Sequence, residues 1–229
     1  MYFCIWIFMS DTKHIALVLG SSGLIGFETV NLLLNNSNYS AVYAVSRTKL
    51  PISHSKLIQI LADVDTIEDR IKDITVDHLY SCIGTTASKT PDKIEYYKID
   101  LDYPILVAKT LHNKGCQTIC LISSMGASST SKNFYLKLKG DVEKAIKEIG
   151  YQSVNILRPS LLLGKRKEYR LMERLAQKIF PIANLFLIGS LKDYRSIKAT
   201  DIASAMINIS LANKKGTHIY QTQFIKELA

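Results

Sequence analysis

The chain has 229 residues, of which 47% are hydrophobic and 21% charged, with 11 glycines and 5 prolines. That length and balance suit a globular domain with a full core and exclude a collagenous, low-complexity or disordered chain. The net charge of +9 is spread along the chain, and its one cluster, "GKRKEYRLMERL", carries no nucleic-acid signature, so nucleic acid is not an expected partner.

Residues 1–12 open on "MYFCIWIFMS", which is apolar but lacks the basic region and small-residue cleavage site of a signal peptide. The run is too short to span a bilayer, and no membrane association is expected. Residues 1–12 are expected to be an extension outside the core, either an overlong start before a polar beginning at Met9 or a poorly ordered tail. Residues 13–229 then form one domain. Cys4, Cys82, Cys116 and Cys120 form no CxxC pair, and three of them lie in or beside apolar runs. They read as reduced, buried thiols of a cytoplasmic protein, with no metal site.

In chain order, strand-like apolar runs occur at "HIALVLG", "AVYAVSR", "KLIQILAD", "HLYSCIG", "TICLISS" and "SVNILRP". Helical patterns at "FETVNLLLNN", "IEYYKIDLDYPILVAKTLHNKG" and "YLKLKGDVEKAIKEIG" separate most of them. In the last pattern Leu138, Val142, Ala145, Ile146 and Ile149 recur at helical spacing, and Gly150 ends the run. Near-continuous apolar strands alternating with helices predict a doubly wound α/β fold with a parallel sheet covered on both faces. A helix over "DIASAMINISLANKKG" and a short strand "THIYQT" complete a less regular C-terminal part.

The first strand hands over to its helix through "GSSGLIG", a GxxGxxG turn at Gly20, Gly23 and Gly26. Glycines there permit a tight turn, close approach of a pyrophosphate to the backbone, and close helix–strand packing. The helix N-terminus adds unpaired N–H groups and a positive dipole end. After the second strand, "AVSRTKL" offers Ser46 and Arg47 and no acid. NAD binders usually place a carboxylate there, whereas a 2′-phosphate suits the planar fork of arginine, so NADP is the expected cofactor. Asp63, at the end of "LIQILAD", is placed for the adenine edge, and Gly84 admits the cofactor's ribose.

A proton donor is expected beside the nicotinamide. Tyr135 and Lys139 in "FYLKLKG" stand four residues apart, on one helix face. A second such pair, Tyr194 and Lys198, lacks the context. Only Tyr135 and Lys139 follow the fifth strand and its "ISSMGA" turn, where Ser124, or Ser123 beside it, emerges at the sheet's carboxyl edge. A neighbouring ammonium favours a phenolate, which makes Tyr135 a usable acid or base.

Together, GxxGxxG, "CIGTT", "ISSMGA", "YLKLK" and "RPSLLLG" resemble the short-chain dehydrogenase/reductase superfamily over residues 13 to 212. Within it, the chain resembles the small atypical branch of Tat-interacting oxidoreductase-like proteins and their bacterial relatives. The resemblance implies a catalytic set of Ser124, Tyr135 and Lys139. It implies an NADP site lined by Gly20, Ser22, Gly23, Leu24, Ile25, Gly26, Ser46, Arg47, Asp63, Val64 and Gly84 together with Tyr135 and Lys139, with Pro159 and Ser160 facing the nicotinamide. The "LDYPILVAKTL" helix lacks the asparagine many members use there, leaving Asp100 or nothing in its place. The activity so implied is hydride transfer between NADPH and a small carbonyl or alcohol, by a monomer or homodimer. The alternative is a non-catalytic NADP-binding protein that reports redox state. The substrate side falls in residues 160–195, where Lys165, Arg166, Lys167 and Arg170 are expected to form a solvated rim.

Overall fold

The computed structural model describes residues 13–85, 90–160, 162–163 and 195–229. The N-terminal extension, the basic rim, Tyr194 and most of the expected substrate side lie outside the described residues.

The first apolar run forms β1 (His14–Leu19) at the middle of the molecule. Ala16 and Val18 join the hydrophobic cluster on one face of the sheet, while Leu17 and Leu19 join the cluster on the other. All four are 0–1% exposed, so β1 is buried on both faces as its uninterrupted hydrophobicity requires. Each such leucine contributes on the order of 2 kcal/mol through burial.

The chain continues through α1 (Leu24–Leu34), β2 (Tyr39–Ser46), β3 (Leu57–Leu61), α2 (Ile67–Ile71) and β4 (His78–Ser81). Next come α3 (Lys93–Tyr97), a π-helical turn (Lys98–Asp102), α4 (Tyr103–Asn113) and β5 (Thr118–Ile122). The remaining elements are α5 (Phe134–Glu148), β6 (Ser153–Arg158), β7 (Leu162–Leu163), β8 (Ile197–Lys198), α6 (Ala199–Ala212), β9 (Gly216–Gln221) and α7 (Thr222–Glu227).

Seven strands pair in the order β3-β2-β1-β4-β5-β6-β9, and every pairing is parallel. The fold is a Rossmann-like, doubly wound α/β sheet. Helices α1 and α6 cover one face through Val30, Leu33, Ile202 and Met206. On the other face α4 and α5 pack Val107, Leu111, Val142 and Ile146. The chain leaves β1 towards β2 and β3, then returns to β1's other side at β4. That reversal opens a crevice at the carboxyl ends of β1 and β4, where ligands of open α/β sheets bind.

Candidate active site

The turn after β1 is built from backbone. Gly20 has φ +79°, and a Cβ there would lie 2.9 Å from the backbone of Ile83, just beyond β4. The N–H groups of Gly20 and Ser21 donate to Val45 O at 3.1 and 3.0 Å, which ties the turn to the end of β2. A Cβ on Gly26 would fall 2.3 Å from Gly20 O, so its missing side chain lets the helix pack closely on the turn. Ile25 is likewise buried in the core, whereas Ser22 and Gly23 are exposed at the mouth of the turn. Leu24 is half-buried between them. Helix α1 has Gly23 at its N-cap, no side-chain cap and no acid in its first turn. Its free N–H groups and dipole end suit a pyrophosphate.

Beyond β2, Arg47 is exposed. Ser46 is buried, and its hydroxyl donates to Thr48 O at 2.6 Å, closing the turn that presents the arginine. Asp63 is exposed and accepts from Thr66 Oγ1 at 2.7 Å and from the N–H groups of Thr66 and Asp65. The Thr66 bond, first among these, holds its carboxyl below the usual range. Val64 packs half-buried against the core beside it.

Tyr135 and Lys139 lie on the first turns of α5, whose N-cap Asn133 accepts from Leu136 N–H at 3.1 Å. Tyr135 is 38% exposed, and Lys139 Nζ lies 5.9 Å from its ring centroid. The ammonium is 3.1 Å from Asp100 Oδ2, and both side chains are buried. Tyr135 therefore faces an ion pair rather than a lone ammonium, which reduces the field the sequence suggested. Gly84 closes this corner: a Cβ on it would stand 3.5 Å from Nζ and 3.7 Å from Asp100 Oδ2.

The two serines after β5 separate clearly. Ser123 is buried, and its hydroxyl donates to Glu143 Oε1 at 2.5 Å. Ser124 is half-exposed, its hydroxyl 3.4 Å from Met125 O. Across the crevice, Pro159 O accepts from Met125 N–H at 3.2 Å. Ser160 N–H donates to Thr222 Oγ1 at 2.9 Å and its hydroxyl to Arg195 O, so both its donors tie β6 to the C-terminal elements.

Residues 16–221 match the model of the NAD dependent epimerase/dehydratase family, which covers most of the chain. The chain belongs to that family. Its members are nicotinamide-cofactor proteins of the short-chain dehydrogenase/reductase type, which makes the activity of oxidoreductase type. Relatives named "Protein FMP52, mitochondrial" are similar along most of their length. The Eremothecium gossypii protein is 32% identical over 154 residues, 67% of this chain and 69% of its own. The Coccidioides immitis protein is 28% identical over 225 residues, 93% of this chain and 92% of its own. The solved structure of MoeE5 with UDP-glucose and NAD shares the fold at 16% identity and a TM-score of 0.65, over 90% of this chain and 74% of that one.

These relatives correct the cytoplasmic placement drawn from the cysteines, because their names assign them to mitochondria. Cys82, Cys116 and Cys120 are unpaired, and burial pushes their thiols up to about 12. Raised thiol pKa values make these cysteines unreactive and do not choose a compartment.

In this epimerase/dehydratase-family chain, several supporting residues escaped the sequence reading. Glu143 is 2% exposed and receives Arg158 through Nε at 2.8 Å and Nη2 at 2.6 Å, joining α5 to β6 below Ser123. A charged residue inside the apolar run "SVNILRP" was the available signal. A Cβ on Gly140 would lie 2.2 Å from the backbone of Ser128 and Ser129, so the post-β5 loop seats directly on α5. Tyr103 is buried near Arg47 and Asp63, its hydroxyl has no hydrogen-bond partner among the described residues, and burial pushes that phenol up.

Proposed function

We propose that this protein is an NADP-dependent oxidoreductase that moves hydride between NADPH and a small carbonyl or alcohol substrate. The observation that carries the reading is the corner formed by Tyr135, Lys139 and Gly84. An exposed phenol and a buried ammonium lie one helical turn apart, beside a glycine that leaves space for a ribose. When bound, the nicotinamide supplies or accepts the hydride. The chain's own groups would do the rest: Ser124 holds the substrate oxygen, Tyr135 gives or takes the proton, and Lys139 binds ribose hydroxyls. Ser124 is preferred over Ser123 because Ser123's proton is committed to Glu143.

The preference for NADP rests on Arg47, which is exposed at the end of β2, with no acid in "AVSRTKL". A guanidinium there matches the 2′-phosphate in charge and shape. MoeE5 carries NAD, and the arginine is what distinguishes this proposal from that cofactor. The narrower likeness to the Tat-interacting oxidoreductase-like branch belongs to the same proposal, as does a mitochondrial site of action, which the relatives' names support.

Thermal-shift measurement with NADPH, followed by turnover against a panel of small aldehydes, ketones and alcohols, tests the reading. Stabilisation by NADPH together with turnover of at least one compound is the expected result. Tight NADPH binding without turnover of any compound would favour the non-catalytic redox reporter.

A further inference from the structure

Helix α3 does not run straight into α4. The backbone widens into a π-helical turn over Lys98–Asp102, and Asp100 at its centre is 1% exposed. Such turns break the regular helical register and are frequent at functional sites. Here the departure puts a carboxylate in the interior, where an unpaired charge would be strongly destabilising.

Two groups meet that carboxylate. Oδ1 accepts the N–H of Thr85 at 2.6 Å, which anchors it to the segment beyond β4. Among the described residues Oδ2 makes no directed hydrogen bond, yet it lies 3.1 Å from Lys139 Nζ. The attraction is therefore one of charge rather than of an aligned N–H···O contact. An ammonium has three donors, and a misaligned counterion holds its position while leaving those donors to point elsewhere. Gly84 keeps the space beside Nζ clear of side chain.

We propose that Asp100 is the positioning residue for Lys139. As a buried counterion, it fixes the ammonium between Gly84 and Tyr135 and leaves its N–H groups free for the vicinal hydroxyls of a dinucleotide ribose. The ribose part of this proposal rests on the dinucleotide reading above. A neutral amide at residue 100 could still receive the Thr85 N–H but would not hold the ammonium by charge.

The test is a double-mutant cycle of Asp100→Asn and Lys139→Met on the full chain, read in two ways. In melting without ligand, each single variant should lose more stability than the double, because each strands one buried charge. In NADPH titration by cofactor fluorescence, Asp100→Asn should weaken binding at least about tenfold when Lys139 is present. In the Lys139→Met background the same change should alter binding less than about twofold. A loss of equal size in both backgrounds would mean that Asp100 acts on the fold alone, and no loss in either would remove the positioning role. If Asp100→Asn fails to fold, recovery of a folded protein in the double variant supports the pair, and failure of both overturns it. A wild-type protein that binds neither NADPH nor NADH would instead remove the dinucleotide reading. The melting cycle would then decide alone whether Asp100 holds Lys139, with additive losses counting against it.

Discussion

The two ends of the sheet place tyrosine in opposite surroundings. At the amino end, His14, Tyr39, His78 and Tyr80 form a packed aromatic cluster. The Tyr39 hydroxyl lies 2.8 Å from His78 Nδ1 and 2.7 Å from the Tyr80 hydroxyl, and the rings of His14 and His78 stack at 4.5 Å. Burial raises the Tyr39 and Tyr80 phenols and pushes His78 down to about 4, with the charge of His14 a second cause for His78. At the carboxyl end, Tyr135 stands 38% exposed over a buried ammonium. A tyrosine whose hydroxyl is satisfied and sealed is structure, while one that is open and beside a charged pair is available for chemistry.

The sharpest way to break this contrast is to remove each hydroxyl in turn. Tyr135→Phe should lower turnover of whichever substrate the panel finds by about 10²–10⁴-fold, with NADPH affinity and melting temperature nearly unchanged. Full activity in that variant would leave only a nucleotide-binding fold.

Acid should next find the amino end. His78 has its folded-state pKa depressed to about 4 against an ordinary value of 6.5, so the unfolded chain takes up a proton first as pH falls. The corresponding stability is present above pH 6.5 and is lost as pH falls towards 4, by about 3 kcal/mol. Denaturant unfolding at several pH values measures this slope, and His78→Gln should flatten it.

A smaller effect is expected from Tyr39→Phe, which strands His78 Nδ1 in the core and leaves the Tyr80 hydroxyl with Ser210 alone. The cost should be about 1–3 kcal/mol of stability, with NADPH affinity unchanged. A variant that loses cofactor binding while melting normally would show that the two ends are not separate.

How legible these ends were in the sequence follows from range. The six expected strands and their helices were readable because period and apolar run length are local properties, as the two-faced burial of β1 illustrates. Strand β9 was readable as a strand but not as the seventh member of the sheet. Its residues are largely polar and partly exposed, and only pairing with β6 assigns it. The turn after β1 was legible because glycine spacing is local. The difference between Ser123 and Ser124 was not, since Glu143, twenty residues on, takes the Ser123 hydroxyl. The Asp100–Lys139 pair needed the π-helical turn, which no periodicity announces. Ser46 and Asp63 stand at the strand ends where the sequence put them, but the contacts of the Ser46 hydroxyl with Thr48 O and of Asp63 Oδ1 with Thr66 and Asp65 were not legible there. Arg47 is exposed at the end of β2, with Lys49 exposed two residues beyond it.

The most direct measurement is therefore paired titration of NADPH and NADH against the wild-type protein and Arg47→Ala. NADPH should bind at least about tenfold more tightly than NADH, and Arg47→Ala should erase most of that difference, a loss of about 1.5–3 kcal/mol. Equal affinity for the two cofactors in the wild-type protein, or tighter binding of NADH, would contradict the account.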